Sequence, residues 1–137
     1  MTTDSETIIA TQIPEEKRMA FLPRFIGNRM LTFENAVYTF ADRFCATYKG
    51  GYWRFYELSN GGFYLAPQTR SPLSISVESN GFEGDLSADG FGVVCTLFAL
   101  NALLWSAPDE VTEKRYYALR DYADQHPDAA EIYGAID

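Results

Sequence analysis

GGYWRFYELSNGGFYLAP, residues 50–67, holds six aromatic side chains and almost no catalytic ones. Two runs of β-formers, 52–58 and 63–66, flank Asn60-Gly61. That dipeptide is the strongest short hairpin signal, because both central turn residues take positive φ. A two-residue loop opposes Leu58 to Phe63 and Tyr56 to Leu65. Both faces of such a hairpin are largely apolar, which predicts strands covered on both sides. A second unit follows. Leu73-Ser-Ile-Ser-Val-Glu78 alternates, with Leu73, Ile75 and Val77 inward, and Asn80-Gly81 repeats the turn signal. A two-residue loop there sets Glu78 against Glu83, an unfavourable pair. Either the two carboxylates are well solvated, or the register differs, or the spot meets something positive.

Helical patterns lie on either side of these hairpins. Pro14 to Pro23 reads as a short helix, with Glu15 and Glu16 at its positive end and Pro23 and Gly27 closing it. Phe33 to Tyr48 has apolar residues at helical spacing, Thr32 as N-cap, and Gly50 and Gly51 as its stop. Ser87 caps a central helix. From Val93 to Trp105 that helix is apolar nearly all round and therefore buried, so Thr96 and Asn101 need partners. A surface helix over 109–125 turns Val111, Leu119, Tyr122 and Ala123 inward, and Pro127 opens a last short helix. The order predicts an α+β fold: a small antiparallel sheet of two hairpins packed with helices, and a central buried helix near residues 88–105. Residues 1–12 read as a flexible lead-in with a short extended segment over 7–12, and residues 13–137 as one domain.

The 137 residues are 47% hydrophobic, enough for one domain with a real core. Met1 to Glu6 has no basic start and no apolar run, so no signal peptide is expected. The longest apolar stretch, 91–105, falls short of the roughly 18 residues of a membrane span. A cytoplasmic protein without membrane attachment is expected. Cys45 and Cys95 sit among apolar neighbours inside helical patterns and read as buried thiols. His126 is the sole histidine, which argues against a histidine triad and a zinc site. Gly90-x-Gly92 lacks the third glycine of a dinucleotide fingerprint, and no phosphate-loop, CxxC, HExxH or GxSxG motif occurs. No cofactor and no metal are expected.

The net charge of -8 is uneven: residues 71–137 carry 12 acids against 3 bases. Such a half repels phosphates and attracts basic protein surfaces, and it also keeps a protein soluble. Glu83, Asp85 and Asp89 form the one local acidic cluster with a functional look. It suits a cation, paired carboxylates for acid–base work, or a basic partner. The plain reading is a solvated turn followed by a helix start, which favours acids in any case. The hairpin aromatics, with Lys49, Arg54 and Arg70 nearby, are the types used to stack single-stranded bases. Packing against helices explains them more simply. A DNA mimic needs carboxylates at about one charge per 1.7 Å of duplex axis. Here Lys114, Arg115 and Arg120 break up the acids of the C-terminal helices.

Three stretches then carry a resemblance: Arg18-Met-Ala-Phe-Leu-Pro23, the hairpin GGYWRFYELSNGGFYLAP, and NGFEGDLSADGFGVVCTLFALN over 80–101. They resemble the ArdB/KlcA antirestriction family, over about residues 13–125. The resemblance implies a small cytosolic protein encoded by plasmids or other mobile elements. It implies protection of incoming DNA from type I restriction–modification enzymes, by a domain with its own α+β fold. It implies neither an enzyme nor a strong DNA mimic, and it brings no catalytic residues. The partner expected is the host restriction complex or a host factor that governs it. The contact residues expected are Glu83, Asp85 and Asp89, helped by the mixed surface around Arg18 and Arg24.

Overall fold

A computed structural model describes residues 7–137, so the first half of the expected lead-in lies outside the described residues. Among the described residues the elements run β1 (Ala10–Gln12), α1 (Arg18–Ile26), α2 (Met30–Phe44), β2 (Trp53–Leu58), β3 (Phe63–Pro67), β4 (Leu73–Val77), β5 (Phe82–Leu86), α3 (Ala88–Ser106), α4 (Glu110–Gln125) and α5 (Ala129–Ile136). The α+β order is as expected, but the strands make two sheets: β1-β2-β3 and β4-β5, all antiparallel. Residues 10–12 are not free lead-in. They pair with β2, the Gln125 side chain brackets the Ile8 amide and carbonyl at 2.9 and 2.8 Å, and Ser59 accepts from the Ile9 amide.

Both hairpins depart from the two-residue loop. In the first, Phe55 faces Leu65 and Glu57 faces Phe63. Leu58 and Gly62 close a three-residue loop, with the Gly61 amide donating to Leu58 and Gly61 at φ +92. This is the type I turn with a left-handed third residue that three-residue hairpins use. Asn60 thereby sits at a right-handed turn position, where its side-chain carbonyl accepts from the Gly62 amide. The one-residue slip exchanges face partners, so Phe55, Phe63 and Leu65 share a side. In the second hairpin Val77 faces Phe82 around a four-residue loop, and Glu83 faces Ser76. The Glu78–Glu83 clash therefore never arises, and no positive partner is needed to explain it.

Helix ends also differ. Pro23 lies inside α1, which runs on to Gly27 at φ +60. The carbonyl that proline leaves without a donor belongs to Met19, a surface residue open to water. A tight turn over Gly27–Arg29 feeds directly into α2, so Thr32 is internal and does not cap. Helix α2 stops at Phe44 rather than Tyr48, and Cys45 is its C-cap; the Tyr48 hydroxyl accepts from the Trp53 indole at 2.7 Å. Cys45 and Cys95 are both buried and free.

The three-stranded sheet is enclosed. On one face Phe55 and Phe63 pack with Phe21 and Phe25 of α1 and Phe33 of α2, with centroids 4.8 to 5.8 Å apart. On the other, Tyr56 stacks on Tyr64 and Tyr64 on Tyr122 of α4. Helix α3 lies along the β3 edge. The Thr96 hydroxyl accepts from the Leu65 amide at 3.1 Å and donates to its carbonyl at 3.4 Å. One turn earlier, a Cβ on Gly92 would stand 2.3 Å from that carbonyl oxygen. Only glycine admits the strand this close to the helix. Leu73, Ile75 and Val77 are buried beneath the second sheet as expected.

Helix α3 has 19 residues and is long and apolar enough to cross a membrane by composition, longer than the 15-residue run suggested; 67% of its most apolar window is buried inside the fold. The apolar pattern misleads only in the last turn, where Asn101 and Trp105 are exposed. The Arg29 guanidinium closes that end, donating to the Leu103 and Ala107 carbonyls at 2.6 and 2.9 Å and pairing with Asp109. A cation there complements the helix dipole. Val111 turns outward; Thr112 is buried in its place and donates through amide and hydroxyl to Asp109, the cap of α4. These bonds, led by the Thr112 amide, hold the Asp109 carboxyl below its ordinary range.

Two substitutions test the α3–β3 lock. Gly92→Ala forces backbone apart and is expected to cost about 3 kcal/mol. Thr96→Val leaves the buried Leu65 amide without an acceptor and is expected to cost about 1–3 kcal/mol. Urea unfolding of each variant measures both.

Candidate functional site

The structure separates the residues that the sequence grouped. Glu83 and Asp85 alternate outward along β5 and are exposed; the Ser74 hydroxyl donates to Asp85 at 3.2 Å. Arg18 and Arg24 stand on α1 instead. The Arg18 guanidinium donates to the Trp53 carbonyl at 2.7 Å and lies 3.9 Å from the centroid of the Phe55 ring, so it is half-buried and anchored. Arg24 is exposed and pairs with Glu57 at 2.9 Å. That pair lines a groove of about 430 Å³ between β1 and α1, with Ile13 and Phe21 at its base. Among the described residues no ion pair joins these arginines to the three acids.

Asp89 belongs to neither surface. It sits in the first turn of α3, where the helix dipole favours an acid, and turns into a polar network. The Tyr64 hydroxyl donates to its Oδ1 at 2.8 Å, and His126 Nε2 meets its Oδ2 at 2.8 Å. The other ring nitrogen, Nδ1, accepts from the Asp128 amide at 2.9 Å. Nδ1 is therefore the unprotonated nitrogen, and Nε2–H is the donor to Asp89. The side chain of His126 is 4% exposed and that of Asp89 39%.

Asp128 completes the arrangement. Its Oδ2 accepts from the Ser87 amide at 2.9 Å and from the Ser87 hydroxyl at 2.6 Å. Ser87 in turn accepts from the Gly90 amide, as a helix cap does. A Cβ on Gly90 would stand 2.5 Å from the Asp128 oxygen, so glycine makes room for the carboxylate. The start of α3 is thus closed by the turn that joins α4 to α5. Burial, followed by the charge of Asp89, pushes the Tyr64 hydroxyl well above the usual tyrosine range. Burial likewise raises Tyr122, whose ring stacks on Tyr64 and meets His126 edge-on.

Chemically, this network resembles an acid–base triad, and its bonds tie the start of α3 to β3 and to the α4–α5 turn. Both Asp89 oxygens and both His126 nitrogens are engaged by protein groups. Among the described residues no three histidine, cysteine or acidic side chains converge as a metal site. The hairpin aromatics are likewise committed: Trp53, Phe55, Phe63 and Tyr64 are buried, and the hydroxyl of the exposed Tyr52 donates to Glu15. Tyr52 and the half-buried Tyr56 keep part of their surface in solvent. Sequence reasoning singled out Asp89 and Ser87 but missed the roles of His126 and Asp128. Their one available signal was a lone histidine in a His-Pro-Asp turn.

Comparison with known proteins adds a relationship to this geometry. The family model for antirestriction proteins matches residues 46–137. Antirestriction protein KlcA of Escherichia coli is 47% identical over 137 residues, spanning 95% of this chain and 94% of its own. A second KlcA from the same species is 46% identical across 100% of both chains. A solved structure covers 100% of both chains with a TM-score of 0.91 at 44% identity. It comes from work on the KlcA and ArdB proteins, which show a novel fold and antirestriction activity against type I DNA restriction systems in vivo but not in vitro.

The raised Tyr64 makes a signed prediction. Its folded value lies above the ordinary 10.0, so its contribution to stability is complete below pH 10.0 and is lost as pH rises toward the folded value. Urea midpoints of the wild type are expected to fall more steeply above pH 10 than those of Tyr64→Phe. Asp89→Asn, which weakens the acceptor for two buried donors, is expected to lose about 1–3 kcal/mol at pH 7.

Proposed function

The chain belongs to the antirestriction protein family, and from that premise we propose that it counters host type I restriction–modification enzymes and so protects incoming plasmid or other mobile DNA. The observation that carries the reading is the end-to-end match to the KlcA and ArdB fold at 44% identity. Those relatives act in vivo but not in vitro, which favours a route through a component that the cell supplies. The partner is accordingly the restriction complex in its cellular setting, or a host factor that controls it. The site of action is the cytoplasm, where incoming DNA meets those enzymes.

We infer binding rather than catalysis. The polar groups that most resemble an acid–base set are occupied with holding α3, β3 and the α4–α5 turn together. Of the expected contact residues, Glu83 and Asp85 are the exposed acids, two residues apart on β5. Asp89 supports them indirectly by fixing the start of α3. Arg18 and Arg24 form a separate mixed surface beside the β1–α1 groove. The uneven charge of the chain disfavours strong DNA binding.

Plating of unmodified phage on a type I restricting host tests the activity. Expression of the wild type is expected to raise plating efficiency; no rise overturns the functional reading. Glu83→Gln with Asp85→Asn is expected to lower that relief while leaving the melting temperature unchanged. Full relief by this variant overturns the assignment to β5.

A further inference from the structure

Both Asn-Gly turns serve as latches. In each, the asparagine Oδ1 accepts from the amide two residues on: Gly62 for Asn60 at 3.1 Å, Phe82 for Asn80 at 3.0 Å. In each, Nδ2 donates to a helix carbonyl: Ala118 of α4 for Asn60 at 2.8 Å, Ala135 of α5 for Asn80 at 2.6 Å. The same dipeptide carries a reaction of its own. Glycine has no side chain to keep its nitrogen away from the preceding asparagine Cγ. In an opened turn the glycine amide gives its proton to water or hydroxide, and its nitrogen attacks Cγ. The new N–Cγ bond forms as the Cγ–Nδ2 bond breaks, and Nδ2 takes a proton and leaves as ammonia. Water then adds to the five-membered imide and opens it at either carbonyl, giving aspartate or isoaspartate. Nothing is oxidised or reduced, and water is the only other reactant.

The folded turns hold this reaction back. Each carboxamide is fixed at both ends, and each glycine amide is engaged, Gly61 with the Leu58 carbonyl at 3.1 Å and Gly81 with that of Val77 at 3.0 Å. Conversion therefore proceeds from opened states, and its rate follows how often each latch opens. The two latches are unequal. Asn60 is tied to the middle of α4, a helix of 16 residues. Arg115 of the same helix donates to the Gly61 carbonyl at 2.7 Å, and a Cβ on Gly62 would stand 3.0 Å from that of Ala118. Asn80 is tied to the last turn of α5, which has eight residues and is too short to persist alone. Its glycine stands open: a Cβ on Gly81 would meet nothing within 4 Å. Helix α5 rests on this hairpin close to the tip, since a Cβ on Gly134 would stand 2.9 Å from the Phe82 ring.

We propose that Asn80 is a site of spontaneous deamidation, reached when the last turn of α5 lifts from the hairpin tip, and that conversion keeps that turn from docking again. The Ala135 carbonyl is one of those at the end of α5 without an intrahelical donor, and Nδ2 supplies the donor it has. The product offers a carboxylate instead, set against the negative end of the helix dipole. The full chain, incubated at mildly alkaline pH and mapped by peptide mass spectrometry with isoaspartate labelling, tests the site. Asn80 is expected to convert several times faster than Asn60; equal rates, or a faster Asn60, overturn the assignment. Ile132 is a buried anchor of α5, and Ile132→Ala is expected to speed conversion at Asn80 by a larger factor than at Asn60. The same factor at both sites, or none at Asn80, overturns the route through α5. Amide exchange of the wild type checks that route without a variant: the Phe82 amide is expected to exchange faster than that of Gly62, and the reverse order overturns it. Asn80→Asp is expected to lower the melting temperature and to speed exchange over 129–136 while leaving 110–125 little changed. Wild-type exchange over 129–136 in that variant overturns the consequence for α5.

Discussion

A single hydroxyl satisfies both backbone groups of Leu65 that face away from β2. Without Thr96, β3 has an unpaired edge in the middle of the interior, where an unmade hydrogen bond is costly. With it, the most apolar helix of the chain lies directly along that edge, and Gly92 lets the two backbones touch. The rest of the fold is arranged around this contact. Helices α1 and α2 cover one face of the sheet with phenylalanines, and α4 covers the other with tyrosine.

The same dependence accounts for where the most chemically suggestive group sits. Asp89, His126, Tyr64 and Asp128 lie at the N-terminal end of α3, the end that must be held if Gly92 and Thr96 are to meet β3. A helix start offers unpaired amides and a positive dipole end, and the carboxylates meet both needs. Each additional bond within the network ties the start of α3 more firmly to β3 and to the α4–α5 turn. The exposed surface is uneven. Two acids stand on β5, and Trp105 is left exposed at the far end of α3.

Much of this was legible in the chain. Alternation in Leu73–Val77, the capping serine at 87, and the buried helix after it come from local rules that the structure obeys. The reading stopped at questions of one residue. Asn60-Gly61 marked a hairpin correctly, yet the loop took a third residue and every cross-strand partner moved by one. A dipeptide signals where the chain turns, but loop length is settled by what the strands must pack against. Among the contact candidates, Glu83 and Asp85 stayed together while Asp89 turned inward, because helix phase and strand alternation aim neighbours in different directions.

By itself, the sequence determined the fold class, the hairpin positions, the buried helix and the family to which the chain belongs. The first three follow from periodicity and turn chemistry and the family from the resemblance of three stretches, all of them local in the chain. Only the tertiary structure decided that Thr96 answers Leu65, that His126 and Asp128 brace the start of α3, and that Trp105 is left in water. Each joins or exposes residues far apart in sequence. Such pairings depend on the direction in which side chains leave packed elements, and that direction exists only once the elements have met.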